Sequence, residues 1–98
     1  MIVSKQLTIN TNGHGDTLDV TPGVIRALKE SKLSRGTVTL FVIGSTAALT
    51  TIEYEEGAVA DLGRVLEQIA PRHAEYEHHL RWGDDNGHSH VRAALLGP

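Results

Sequence analysis

The chain has no cysteine, which removes disulfides, thiolate zinc sites and any cysteine nucleophile. Aromatics are nearly as scarce. Phe41, Tyr54, Tyr76 and Trp82 are the whole set, so an aliphatic core of Val, Leu, Ile and Ala is expected. No apolar run exceeds the four residues Leu40-Phe41-Val42-Ile43, far short of the ~20 a membrane helix needs. The opening MIVSKQLTIN turns polar after three residues and does not read as a leader. The expectation is a cytoplasmic protein with no membrane partner. A basic excess is missing too. Nine Lys and Arg are scattered among twelve Asp and Glu, net −3, and no stripe is left to neutralise phosphates, so no nucleic acid is expected.

What is there is globular in composition. At 40% hydrophobic and 21% charged the chain is too apolar for disorder, and its 98 residues suit a single domain over 1–98. Chains of this size bury only roughly 60–65% of their unfolded surface, so the stability margin is thin.

Residues 5–10 alternate, with Leu7 and Ile9 on one face, and predict a half-buried strand. Turn formers over 11–16 and a second extended run over 17–20 suggest a hairpin. Thr21-Pro22 opens a helix: a hydroxyl to cap free amides, then a proline with no amide of its own. Val24, Ile25 and Leu28 form its stripe, and Ser34-Arg35-Gly36 ends it. Residues 37–43 are the most β-prone, apolar on both faces like a central strand, and 45–54 continue extended. After a turn at Glu55-Glu56-Gly57, a helix runs from about Ala58 with Leu62, Val65, Leu66 and Ile69 in phase, stopped by Pro71. Residues 73–80 read as a strand, 82–87 as a loop, and the stretch from Asn86 or Gly87 through Leu95 as a short helix. The pattern predicts an α+β fold, an antiparallel sheet with two to three helices.

Six histidines are the anomaly, five of them between His73 and His90. The run HHLRWGDDNGHSHVR, residues 78–92, gathers four with Asp84, Asp85, Asn86 and two arginines. Imidazole exchanges its proton near neutral pH and is the commonest metal ligand. Three readings follow. A divalent metal could be held by His78, His88 and His90, with the aspartates adding oxygens or orienting the rings. On a helix, however, His88 and His90 stand about 200° apart and cannot both face one ion. An anion site would use the helix start at Asn86 and Gly87, with His88, His78 and Arg92 as donors. The bland reading is a solvated polar loop whose histidines are satisfied by carboxylates. Ser45 and Thr46 are further hydroxyl donors where Gly44 breaks the β-prone run. No Ser-His-Asp signature, P-loop or dinucleotide fingerprint is present.

Asp19-Val20-Thr21, Ser45-Thr46-Ala47-Ala48-Leu49-Thr50, Glu53, Gly57, Ala70-Pro71, Tyr76-Glu77-His78, the run from Asp85 to Ala93 and Leu96-Gly97 resemble the YjbQ-like family. Its members are often labelled secondary thiamine-phosphate synthases. The likeness covers nearly the whole chain, and Asn-Gly-His-x-His after Tyr-x-His is its most specific part. It implies an α+β fold with an antiparallel sheet, a homotrimer, and a polar pocket near subunit contacts drawing on His78, Asn86, His88 and His90. The implied activity joins a thiazole phosphate to an activated pyrimidine with loss of pyrophosphate, which requires phosphate binding and leaving-group stabilisation. Three features depart from the family. Gly44 replaces a frequent histidine, His79 replaces an aspartate, and the strand-rich segment that members carry after Leu96-Gly97 is not in this sequence. A missing strand would leave unpaired edges and favour association.

The leading expectation is therefore a protein for a phosphorylated small molecule. His78, His88 and His90 are the candidate catalytic residues; Asn86, Gly87, His88, Arg92 and Thr46 would hold the anion. The alternatives are a metal protein built on His78, His88 and His90, and a non-enzymatic structural trimer.

Overall fold

A computed structural model describes residues 1–97. It contains α1 (Thr21–Ser31), α2 (Glu56–Ile69), α3 (Glu77–Trp82) and α4 (Gly87–Leu96). Among the described residues there is no strand, so the antiparallel sheet of the expected α+β fold does not form and the regular structure is helical only. The reason is a difference in where the hydrogen bonds lie. A helix satisfies its amides within its own segment, whereas a strand exists only with a partner in register. Residues 37–54 have β-prone side chains but no ladder, and several of their apolar groups stay in water: Phe41 is 69% exposed and Ile43 80%. The hydrophobic residue that is fully enclosed is Ala70, at 1%.

The backbone gathers into two compact units, Met1–Val38 and the segment from Thr39 onward. In the first, the expected turn is present: the Asp16 amide donates to the Gly13 carbonyl at 3.1 Å and the Asn12 amide to the Asp16 carboxylate at 2.8 Å. The runs flanking it do not pair. The cap of α1 is also not the Thr21 hydroxyl. The Asp19 carboxylate accepts the Thr21 amide at 3.0 Å, and its bonds to Thr21 hold its pKa below the usual range. α1 stops earlier than Gly36, at Lys32, whose φ of 61° is left-handed. Leu7 lies against Gly23, where an added Cβ would meet Leu7 Cδ1 at 3.3 Å.

In the second unit the expected turn at 55–57 is the start of α2. The Glu55 carboxylate accepts the Gly57 and Ala58 amides at 2.7 and 2.6 Å. Gly57 permits this approach, since a Cβ there would sit 2.9 Å from Glu55 Oε1. The two amides favour the charged form, so the Glu55 carboxyl titrates below its ordinary 4.5. A depressed carboxylate stabilises fully above the unfolded value and ceases to do so as pH falls through the folded one. Glu55→Gln keeps an acceptor at all pH. The wild type should therefore lose helicity on acidification below 4.5 more steeply than the variant. Identical acid titrations by circular dichroism would remove the charged cap from the account.

Residues 73–80, expected as a strand, instead supply most of α3, which ends at Gly83 with φ 69° and its amide on the His79 carbonyl at 2.9 Å. Local signals for this were present: Glu77 in the first turn, Arg81 in the last and a glycine after it. α3 packs on α4, and that pairing builds the site. Among the described residues no helix is long and apolar enough to cross a membrane.

Candidate functional site

Gly87 is where α3 and α4 meet. It is buried, and a Cβ on it would lie 2.7 Å from Tyr76 Cβ and 2.8 Å from Tyr76 Cγ. Tyr76 itself is held by its hydroxyl, which donates to the Pro71 carbonyl at 2.5 Å. The Gly87 amide, expected to face an anion, donates to His79 Nε2 at 3.2 Å. The His79 imidazole thus acts as an acceptor for the start of α4, with its ring edge-on to Tyr76 at 5.4 Å. Asp85 Oδ1 lies 3.6 Å from the same nitrogen.

His78, the next residue of α3, faces a different set of groups. Its Nε2 is 3.0 Å from Asn86 Oδ1 and 3.0 Å from Asp84 Oδ1. Both neighbours are acceptors, so Nε2 carries the hydrogen and donates; in the neutral ring the lone pair is on Nδ1. Asn86 precedes α4 but does not cap it with its side chain, because that oxygen is turned to His78.

The ring of His90 stands 4.5 Å from that of His78, tilted by 55°. His88 is only 4% exposed, while His90 is partly open to solvent. This is the consequence of the helical phase between them: α4 turns one imidazole inward and the other toward His78. Among the described residues no three His, Asp or Glu side chains converge as metal ligands.

Arg92 does not face solvent either. Its Nε donates to the Ala70 carbonyl at 2.9 Å and its Nη2 to Glu67 Oε2 at 2.7 Å. The Glu67 carboxylate also accepts the Arg72 amide at 3.1 Å. The charge that the sequence offered to a ligand is thus neutralised by Glu67, and it fastens α4 to the end of α2. Sequence reasoning had no access to this pair, because nothing in the pattern links residues 67 and 92.

His90 has a second role as part of the wall of a groove of about 330 Å³. One side is formed by Phe41, Val42, Gly44, Ser45 and Ala47, the other by His90, Ala93, Ala94 and Gly97 of α4 and its exit. Thr46 is exposed and is not part of this lining. The hydroxyl that borders the groove is that of Ser45.

The family model described as UPF0047 protein YjbQ-like matches residues 5–98. A UPF0047 protein of Methanothermobacter thermautotrophicus is 31% identical over 98% of this chain. Another, of Methanocaldococcus jannaschii, is 30% identical over 99%. The chain spans 66% of the first relative's length and 70% of the second's. No solved structure matches.

Proposed function

Because this chain belongs to the YjbQ-like UPF0047 family, we propose that it binds a phosphorylated small molecule beside α3 and α4, with His78 and His90 as the working imidazoles. The observation that carries the reading is the pair of rings 4.5 Å apart, with Asp84 3.0 Å from His78 Nε2. An imidazole whose Nε2–H is fixed by a carboxylate exposes Nδ1 as its one exchangeable position. There it takes or gives a proton at a ligand oxygen, and His90 supplies a second donor. The finer reaction is of the thiamine-phosphate-forming kind, in which pyrophosphate leaves and a donor to its oxygens stabilises it. A homotrimer is part of the same proposal.

The residues refine which variant is diagnostic. His88 is enclosed, so His88→Ala removes packing as well as any donor. His78→Ala and His90→Ala act on partly exposed rings. Each should weaken pyrophosphate binding by about tenfold or more, the worth of one charge-assisted hydrogen bond, with little change in thermal midpoint. Calorimetry on both variants showing wild-type pyrophosphate affinity would reject the site. Among the described residues no three His, Asp or Glu side chains converge, and this reading needs only the His78 and His90 pair.

A further inference from the structure

The tripeptide Asn-Gly-His occurs twice, at residues 12–14 and 86–88. We infer that Asn12 is a site of spontaneous covalent modification, converting to aspartate and isoaspartate, and that the fold shields Asn86 from the same reaction. The inference is independent of the proposed ligand site, and its chemistry needs only water.

The reaction is intramolecular. Base removes the proton from the glycine amide, and that nitrogen attacks the side-chain carbonyl carbon of the asparagine. The N–Cγ bond forms and the Cγ–Nδ2 bond breaks; Nδ2 takes up a proton and leaves as ammonia. The resulting cyclic imide then adds water at either of its carbonyl carbons. Opening at Cγ leaves aspartate. Opening at the main-chain carbonyl leaves isoaspartate, whose backbone runs through the former side chain. Glycine has no side chain to obstruct the attack and restricts the backbone least, so both pairs are intrinsically reactive. Local structure decides between them.

Asn12 and Gly13 are exposed, and a Cβ on Gly13 would meet no atom within 4 Å. Two hydrogen bonds brace the turn: the Asn12 amide donates to Asp16 Oδ2 at 2.8 Å, and the Asp16 amide to the Gly13 carbonyl at 3.1 Å. Neither uses the peptide unit between the two residues, which consists of the Asn12 carbonyl and the Gly13 N–H. That unit can flip between its braces. Gly13 stands at φ 117°, and glycine crosses to negative φ with no Cβ in the way. The flip swings the Gly13 nitrogen toward the Asn12 side chain.

At Asn86 the same atoms are committed elsewhere. Its ψ of 17° nearly eclipses the Gly87 nitrogen with its own, turned away from its side chain. The Gly87 hydrogen is on His79 Nε2 at 3.2 Å, and Asn86 Oδ1 is held by His78 Nε2 at 3.0 Å. The Asn86 carbonyl accepts the Ser89 and His90 amides at 3.0 and 3.3 Å. Rotating this peptide unit breaks all of these bonds except the one to His78 and opens the first turn of α4. Reaction at Asn86 therefore waits for local unfolding.

Incubation of the folded wild type at mildly alkaline pH, followed by peptide mass mapping, should show Asn12 converting at a rate that rises with pH. Asn86 should convert at least about tenfold more slowly, because only the locally opened fraction reacts. In urea that unfolds the chain, the two identical tripeptides should convert at similar rates. Asn12→Gln should remove the first site, since the longer side chain would have to close a larger ring. Asn12 intact in the folded protein but converting in urea would show a turn too rigid to flip and overturn the inference. Equal rates at both positions in the folded protein would overturn the shielding. Faster conversion at Asn86 than at Asn12 would make His78 and His79 promoters of the reaction and overturn the inference as well.

Discussion

Arg92→Ala is expected to destabilise the unit from Thr39 onward by about 2–3 kcal/mol, read as a lower urea midpoint. Two partners lose their donor at once: the Ala70 carbonyl at 2.9 Å and the Glu67 carboxylate at 2.7 Å. The Arg92 side chain is 10% exposed and that of Glu67 52%, so the estimate stays below the value for a wholly buried pair, because solvent screens the carboxylate. Arg92→Lys should recover little. A single ammonium cannot reproduce a planar fork that reaches a carbonyl and a carboxylate in different directions. A midpoint for Arg92→Ala equivalent to a change under about 0.5 kcal/mol, the range of ordinary surface substitutions, would mean the clamp does not hold α4. A loss of pyrophosphate affinity with no loss of stability would return Arg92 to the ligand.

Gly87→Ala should cost a similar amount, about 2–3 kcal/mol, by overpacking. The new Cβ would stand 2.7 Å from Tyr76 Cβ. Neither atom can rotate away, because both are fixed by the backbone, so α3 and α4 must separate. The His79 acceptor would then be pulled from the Gly87 amide, and His78 from Asn86. The clash is with Tyr76 Cβ at 2.7 Å and with Cγ at 2.8 Å; Tyr76→Ala removes only the second, so it should not restore Gly87→Ala to the wild-type midpoint. A thermal melt of Gly87→Ala that matches the wild type would show that the helix pair does not meet as described. Rescue by Tyr76→Ala would shift the blame to the ring.

Three of the four helices were legible because their causes are local. Pro22 with the Val24, Ile25 and Leu28 stripe, the Leu62 to Ile69 stripe stopped by Pro71, and the run after Asn86 all state their periodicity within one segment. The caps were less legible. At Thr21 and at Glu55 the acceptor is an acidic side chain outside the expected position, and hydroxyl, carboxylate and turn former compete on nearly equal terms at a helix start. α3 was missed because six residues are less than two turns, too few for a period to show. The sheet failed for another reason. Val38 to Ile43 has the side chains of a strand, but pairing depends on a partner and not on the segment.

The site divides in the same way. Composition alone drew attention to residues 78–92, and helix geometry alone said that His88 and His90 cannot share a face. It did not say which of them meets His78. Gly87, expected to admit a ligand, admits Tyr76. Asn86, expected to help hold an anion at the helix start, orients an imidazole. In both cases the residue type was informative about a close approach or a polar contact, and the partner came from eight or more residues away.

By itself, then, the sequence determined the helical segments around Val24, Leu62 and Val91, the absence of thiol chemistry, the concentration of imidazoles near the C-terminal helix, and the family. Each follows from residue identity, short-range spacing or direct likeness. Tertiary structure decided the rest: that His90 and not His88 faces His78, that Arg92 is bound to Glu67, and that a groove opens along Ala93 and Ala94. Those outcomes depend on the rotational phase of α4 and on contacts between residues far apart in the chain, which no local pattern encodes.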